Sequence, residues 1–402
     1  MQTRRTLYRD TALADARSDR LAHGLSVLVE NGVIRWIRPS DDEADPGPLE
    51  SLEVVDASGA VIVPGMVDGH SHVTLPGGAH WIERIDDPPA VLLDVAERNG
   101  RLLTGAGVRW ARDVGAPRVP DPGDGRVRAL SLGVRDRWAG RPGTPYLRVA
   151  GAWLDRTGTL PPAAHTLGSD DADELLANAL GQLDDGVDLL KLYLDGPDPE
   201  VSPWTAEDIG PVVSAAHAHG VPVTAHAGRL NGTVEAVRGG VDAIEHGFDL
   251  DSTIVGEMAA RGTFLVSTLA VMRSWQTFGA TTTLSRFGSD EGRARIGERR
   301  ARAEESVRLA HRAGVRIATG TDFGGGSLRA NQLAWEVEAL VGAGLEPWEA
   351  LAAATWRGGE LLGEPTAGMI SEGGPADFFL VHGDPLSDPA ALWRVWRVAW
   401  AD

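Results

Sequence analysis

The sequence predicts an α/β fold: a (β/α)8 TIM barrel with a small β-sandwich domain built from the N- and C-terminal segments. Three observations carry this. Eight short apolar runs alternate with helical segments, each run ends on polar or small residues, and strand-like patterns flank the array on both sides. The 402 residues exceed the roughly 250 of one minimal barrel, which leaves room for a second unit. The expected division is 1–60 plus 366–402 for the β-sandwich and 61–365 for the barrel.

Taken in order, LSVLVENGVIRWI (Leu25 to Ile37) reads as two strands around an Asn31-Gly32 turn. An acidic, Pro-rich loop at Asp41–Pro48 separates them from a further strand, Leu52 to Asp56. The eight runs are VIVPGMVDGH, VRWARDVG, YLRVAGAW, VDLLKLYL, VPVTAHA, VDAIEHG, TFLVSTL and VRIATGTD. They are apolar throughout instead of alternating, as strands of a parallel sheet buried on both faces are. Helices at Ala206–His219, Glu304–Arg312 and Pro347–Leu362 fill gaps and stop at Gly220, Gly314 and Gly363. Ala376 to His382 and Trp393 to Trp400 resume the strand style, so the two chain ends are expected to pair.

Composition narrows the function. The chain has 43% apolar residues, and 38 Lys+Arg against 57 Asp+Glu give a net charge of -19, a field that repels nucleic acid and anionic membranes. With no cysteine, any metal must be held by His, carboxylate or a modified side chain. The stretch Met1 to Asp10 lacks the apolar core of a signal peptide and no run approaches a membrane span, so a cytoplasmic protein is expected.

Chemistry gathers at the run ends. His70 and His72 follow the first run, and residues two apart in extended chain project to one side, so both imidazoles can reach one cation. Lys191 is a single cation inside an apolar strand, where an unpaired ammonium is costly. It is either salt-bridged or held neutral so that it captures carbon dioxide as a carbamate bridging two metals. His226, His246 and Asp322 end the fifth, sixth and eighth runs, at the rim where barrel enzymes keep their chemistry.

Other histidines serve as contrasts. His217 and His219 diverge around a helix and cannot share an ion. His23 and His382 fall in the β-domain and His311 near a helix C-terminus, so none is expected to be a ligand. His80 and His165 lie in loops over the rim. Arg229 could pair with a substrate carboxylate, Tyr193 could reach an oxyanion, and Trp153 could wall an apolar pocket, each with an alternative as plain surface or packing. Asp68 is placed to orient a ligand imidazole, whereas Arg112-Asp113 reads as an internal ion pair.

VPGMVDGHSH, Lys191, TAHA, IEHG and TGTD, with GVRWARDVGA, GLEPWEALAAAT and GMISEGGPADFFLVHGDPL, closely resemble the amidohydrolase superfamily. The likeness is to its imidazolonepropionase-like and Xaa-Pro dipeptidase (prolidase-like) branch and covers nearly the whole chain. It implies two divalent metal ions, zinc being the usual occupants, with His70, His72 and Asp322 on one, His226 and His246 on the other, and carboxylated Lys191 bridging both. The implied reaction is cleavage of an amide in a dipeptide or N-acyl amino acid by a metal-bridging hydroxide, with Asp322 as general base and acid.

The alternatives are a mononuclear deaminase or cyclic amidine or imidazolone hydrolase of the same fold, a lactonase, or a non-enzymatic scaffold. HAGRLNG places Arg229 where the HAGE pattern of adenosine deaminases has its acid, which argues against deamination. The expected partner is a small-molecule substrate. Trp393, Trp396 and Trp400 could also form a homo-oligomer interface.

Overall fold

Asn31 and Gly32, at φ 49° and 76°, turn the chain between antiparallel strands Ala22–Glu30 and Val33–Pro39, as their sequence predicts. The computed structural model describes residues 4–43, 52–121, 124–161, 163 and 165–401. Most of the Pro-rich loop, residues 44–48, and the first three residues of the chain lie outside them.

The two ends do meet. Phe378–His382 pairs antiparallel with both Ala60–Pro64 and Val395–Ala399, joining C-terminal strands to N-terminal ones in one seven-stranded mixed sheet. A strand absent from the sequence reading, Arg5–Leu13, organises this sheet. It pairs antiparallel with Ala22–Glu30 and parallel with Leu52–Asp56 and then Ala60–Pro64. Of the tryptophans expected at a surface, Trp393 and Trp396 are exposed. Trp400 is half-buried beside the Arg109 guanidinium, 5.5 Å from its ring, because Arg109 is anchored by Asp377 at 2.8 Å.

The apolar runs form parallel strands buried on both faces. Met66–Ser71, Val108–Asp113 and Tyr146–Val149 make one sheet. Trp153–Arg156, Leu190–Tyr193, Val223–Ala227, Ala243–His246, Phe264–Ser267 and Ile317–Thr319 make another, edged by Thr166–Ser169. Two runs divide. VIVPGMVDGH breaks at Gly65, its first half belonging to the terminal sheet, and YLRVAGAW breaks at Gly151, whose φ of 79° suits only glycine. Hydrogen bonds span the two parallel sheets at both junctions: Asp188 N to Val149 O (2.9 Å) and Asp322 N to His70 O (2.8 Å), the latter beside a parallel bridge between Ser71 and Phe323.

Helix Ala206–Ala218 starts at Thr205, whose side chain and that of Asp208 reciprocally cap it, an arrangement worth about 1 kcal/mol. The segment expected at Glu304–Arg312 is the last part of a longer helix, Asp290–Arg312. Its first half buries only Gly292 and Ile296 and is otherwise charged, so apolar periodicity could not reveal it. The segment expected at Pro347–Leu362 is two helices, Pro347–Ala353 and Trp356–Leu362. Thr355 Oγ1 bonds back to Leu351 O at 2.7 Å and Val67 N takes Ala354 O at 2.8 Å, removing carbonyls that a continuous helix needs. Among the described residues no helix is long and apolar enough to cross a membrane.

Candidate metal centre

His70 and His72 emerge together from strand Met66–Ser71, 2% and 3% exposed, while Asp322 follows strand Ile317–Thr319. Their Nε2 atoms lie 3.4 and 3.5 Å from Asp322 Oδ1, and candidate ligand atoms of all three fall within 4.8 Å of one another. The Nδ1 atoms are already engaged, His70 by Glu245 Oε2 and His72 by the Gly115 carbonyl at 2.8 Å. Each ring is thereby oriented with Nε2 facing the cluster. Burial pushes the His70 pKa down, but the Glu245 and Asp322 carboxylates outweigh it and the net shift is upward. Burial raises Asp322, and the surrounding imidazoles overcome this to hold its carboxyl well below the usual range.

Asp322 and His246 adopt φ of 54° and 74°, a region that side-chain-bearing residues rarely occupy. Such strain costs about 1–3 kcal/mol and persists where surrounding contacts over-determine the backbone. For Asp322 those contacts are its N–H on His70 O and its carbonyl accepting from Gly326 N at 2.7 Å.

His226 Nδ1 and His246 Nε2 lie 3.0 Å apart. His246 Nδ1 also meets Thr268 Oγ1 at 2.8 Å, and His226 Nε2 is 3.3 Å from Asp195 Oδ2. The His70 and His246 rings sit 4.7 Å apart, so the four imidazoles are neighbours, although the compact three-residue group does not extend to His226 or His246. Burial lowers the pKa of both His226 and His246, the latter well below its ordinary value, which favours the neutral imidazole that ligation needs.

Lys191, on Leu190–Tyr193, is fully enclosed, and its Nζ has no hydrogen-bond partner. Glu245 Oε1 is 3.9 Å away, at the outer limit of an ion pair. Burial lowers the amine's pKa to about 8, with Glu245 opposing and Arg112 adding to the shift.

Glu245 is the residue that sequence reasoning missed. It contacts His70 and Thr224, accepts from Arg112 Nη2 at 2.7 Å and faces Lys191. Its signal was present, a lone acid in the apolar strand Ala243–His246, the same anomaly that singled out Lys191. This corrects the expected Arg112-Asp113 pair. Adjacent strand residues face opposite sides, so Arg112 turns to Glu245 and the Gly69 carbonyl (2.6 Å), while Asp113 accepts from Val73 N and Gly115 N. Asp68 holds backbone instead of an imidazole: it accepts from Thr321 Oγ1 (2.6 Å), Thr321 N and His70 N.

The candidate substrate residues divide. Tyr193 stacks on His226 at 4.1 Å, and the Trp153 ring lies 5.6 Å from His72, with its Nε1 donating to Val114 O. His165 is fully buried beside Trp153 with neither ring nitrogen partnered, and burial lowers its pKa to about 3, whereas His80 is exposed on Glu83. Arg229 is partly committed, donating from Nη1 to Gly196 O at 2.8 Å. His217 pairs with Asp242, His219 with Ala215 O, His311 with Glu349, and His382 stacks on Trp396, all apart from this cluster.

The chain is 29% identical over 389 residues to an uncharacterized protein of Mycobacterium tuberculosis, covering 95% of each. It is 26% identical over 395 residues to imidazolonepropionase of Salinispora arenicola, covering 92% of this chain and 88% of that one. The fold matches a solved Xaa-Pro dipeptidase with bound methionine at a TM-score of 0.82 and 22% identity, over 99% of this chain and 98% of the other. Residues 61–398 match the model of the Amidohydrolase family. The chain therefore belongs to the amidohydrolase family and is a hydrolase acting on carbon–nitrogen bonds.

Proposed function

We propose that this protein hydrolyses an amide bond in a small molecule at a two-metal site formed by His70, His72, Lys191, His226, His246 and Asp322. The observation that carries the reading is the convergence of His70, His72 and Asp322 beside a buried, unpartnered Lys191 amine. The donor set is imidazole, carboxylate and amine without sulfur, which suits zinc and also manganese, iron or cobalt. Carboxylation of Lys191 would replace an orphaned amine with an anion beside the imidazoles of the cluster.

When bound, two divalent cations would supply a water ionised near neutral pH and a Lewis acid for the substrate carbonyl. The protein's own contribution rests on Asp322. Its carboxylate accepts the proton of the attacking water and returns it to the departing amine, whose expulsion as an anion would be slow. Tyr193 and Trp153 wall the approach, and His165 supplies an unpartnered buried imidazole for a polar substrate group. A dipeptide or N-acyl amino acid fits this reading, with Arg229 a candidate for its carboxylate. Arg229 in place of an acid after the fifth strand disfavours the deaminase alternative.

The architecture in this reading is a closed eight-stranded barrel, supported by the Ser71–Phe323 bridge. The terminal segments form a two-layered β-sandwich, supported by the different neighbours of the two halves of Arg5–Leu13. The proposed division, 1–60 plus 366–402 and 61–365, then shifts its first boundary to Gly65, where the chain leaves the terminal sheet.

The test compares Asp322→Asn with His226→Ala. Asp322→Asn keeps its metal while turnover of an amide panel falls about 10²–10⁴-fold, and His226→Ala loses metal. Full activity in Asp322→Asn would overturn the role given to that carboxylate.

A further inference from the structure

Just beyond the ends of Val223–Ala227 and Ala243–His246 lies a cavity of about 420 Å³ whose lining includes Gly228, Arg229, Phe248, Asp249, Arg299 and Arg302. Phe248 connects it to the candidate centre. Its ring is 5.1 Å from that of His246 and 5.0 Å from the Arg299 guanidinium carbon. Arg299 and Arg302 come from helix Asp290–Arg312, an element separate from the strands that carry the cluster.

The three guanidinium groups differ in what they hold. Arg229 already donates to the Gly196 carbonyl. Arg299 and Arg302 form no hydrogen bond or ion pair with a described residue, although Glu200 and Asp249 line the same cavity. Asp195, whose negative charge acts on Arg299, is engaged by His226, Gly228 N and Arg229 N. Arg299 lies over Phe248 and also 5.8 Å from the Trp275 ring, which fixes its plane and leaves its N–H edge free. Arg299 is exposed at the surface, and desolvation by the neighbouring atoms lowers its pKa against the opposing charge of Asp195. This local positive charge persists in a chain of net charge -19 that otherwise repels anions.

Building on the amide-hydrolase reading, we propose that the substrate carries a carboxylate on the far side of Phe248 from the cluster, and that Arg299, assisted by Arg302, binds it. A planar guanidinium with a free edge accepts a carboxylate through two parallel N–H···O bonds, which an amide of the same shape cannot reproduce. Selection for an anionic group would then reside in Arg299, not in Arg229.

The experiment is calorimetric titration of the metal-loaded full chain with N-acetyl-L-phenylalanine and with its carboxamide. Wild type is expected to favour the acid by about tenfold, and Arg299→Gln to reduce that preference below about threefold. Arg299→Lys keeps charge and stem and should retain an intermediate preference. Arg295→Gln, an exposed change on the same helix, should leave it at the wild-type value. Equal binding of the two probes by wild type overturns the proposal. So does a preference that survives Arg299→Gln, because the carboxylate is then held by Arg229 or by metal, and so does a preference lost equally in Arg295→Gln. Hydrolysis of neutral amides, assayed separately, distinguishes the two readings. A chain that selects the acid but cleaves no amide keeps this inference and loses the hydrolase reading, and the opposite pattern does the reverse.

Discussion

Lys191 Nζ stands 3.9 Å from the nearest Glu245 oxygen and donates to no described residue, a buried amine just beyond hydrogen-bonding reach of a carboxylate. If it carries carbon dioxide, protein prepared with carbon-13 bicarbonate shows a carbamate resonance that vanishes in Lys191→Met. That variant should also lose one equivalent of metal. Its metal-free form should melt higher, by about 1–3 kcal/mol of stability, since an apolar side chain replaces a buried amine that makes no hydrogen bond. An unchanged spectrum and metal count would refute the carbamate.

Glu245 binds the Arg112 guanidinium on one side and His70 Nδ1 on the other. Glu245→Gln should therefore have two separable effects. Metal affinity, measured by equilibrium dialysis, falls about 10–100-fold as His70 loses its orienting partner. Stability falls about 3–5 kcal/mol as Arg112 is left as an uncompensated buried cation. Adding Arg112→Met should restore the melting temperature without restoring metal affinity.

Glu336 is fully buried, accepting from Ser267 Oγ and Ala270 N at 2.6 Å each, and burial raises its pKa to about 7. The folded chain thus keeps a proton that the unfolded chain releases near 4.5. The sign follows: this group's stabilisation is full below pH 4.5, declines as pH rises and is gone above about 7, a loss of at most about 3 kcal/mol. In Glu336→Gln the unfolding free energy should lack this decline between pH 4.5 and 7, measured by denaturant titration.

Gly320 packs against the back of the first histidine, where an added Cβ would sit 2.4 Å from His70 Cβ. Gly320→Ala should cost about 1–3 kcal/mol through overpacking. The same displacement should weaken metal binding. Unaltered melting and metal content would show that His70 has room to move.

The ends of the apolar runs were readable because a buried parallel strand tolerates a polar residue only where it leaves the sheet. His70, His226, His246 and Asp322 stood out for that reason, and Lys191 as a lone cation inside such a strand. Arg5–Leu13 was not readable, since its middle, Arg9-Asp10, is polar and its strand character depends on two distant neighbours. Arg112 and Glu245, 133 residues apart, carry no mutual signal in the chain.

By itself, then, the sequence determined which residues could do chemistry and that they lie at strand ends, because periodicity and burial are local properties. Tertiary structure decided the pairings: Arg112 with Glu245 instead of Asp113, His226 against His246, and Arg299 brought over Phe248 by a largely charged helix. Those choices depend on which strand lies beside which and which side of each strand faces inward, and no spacing along the chain encodes that.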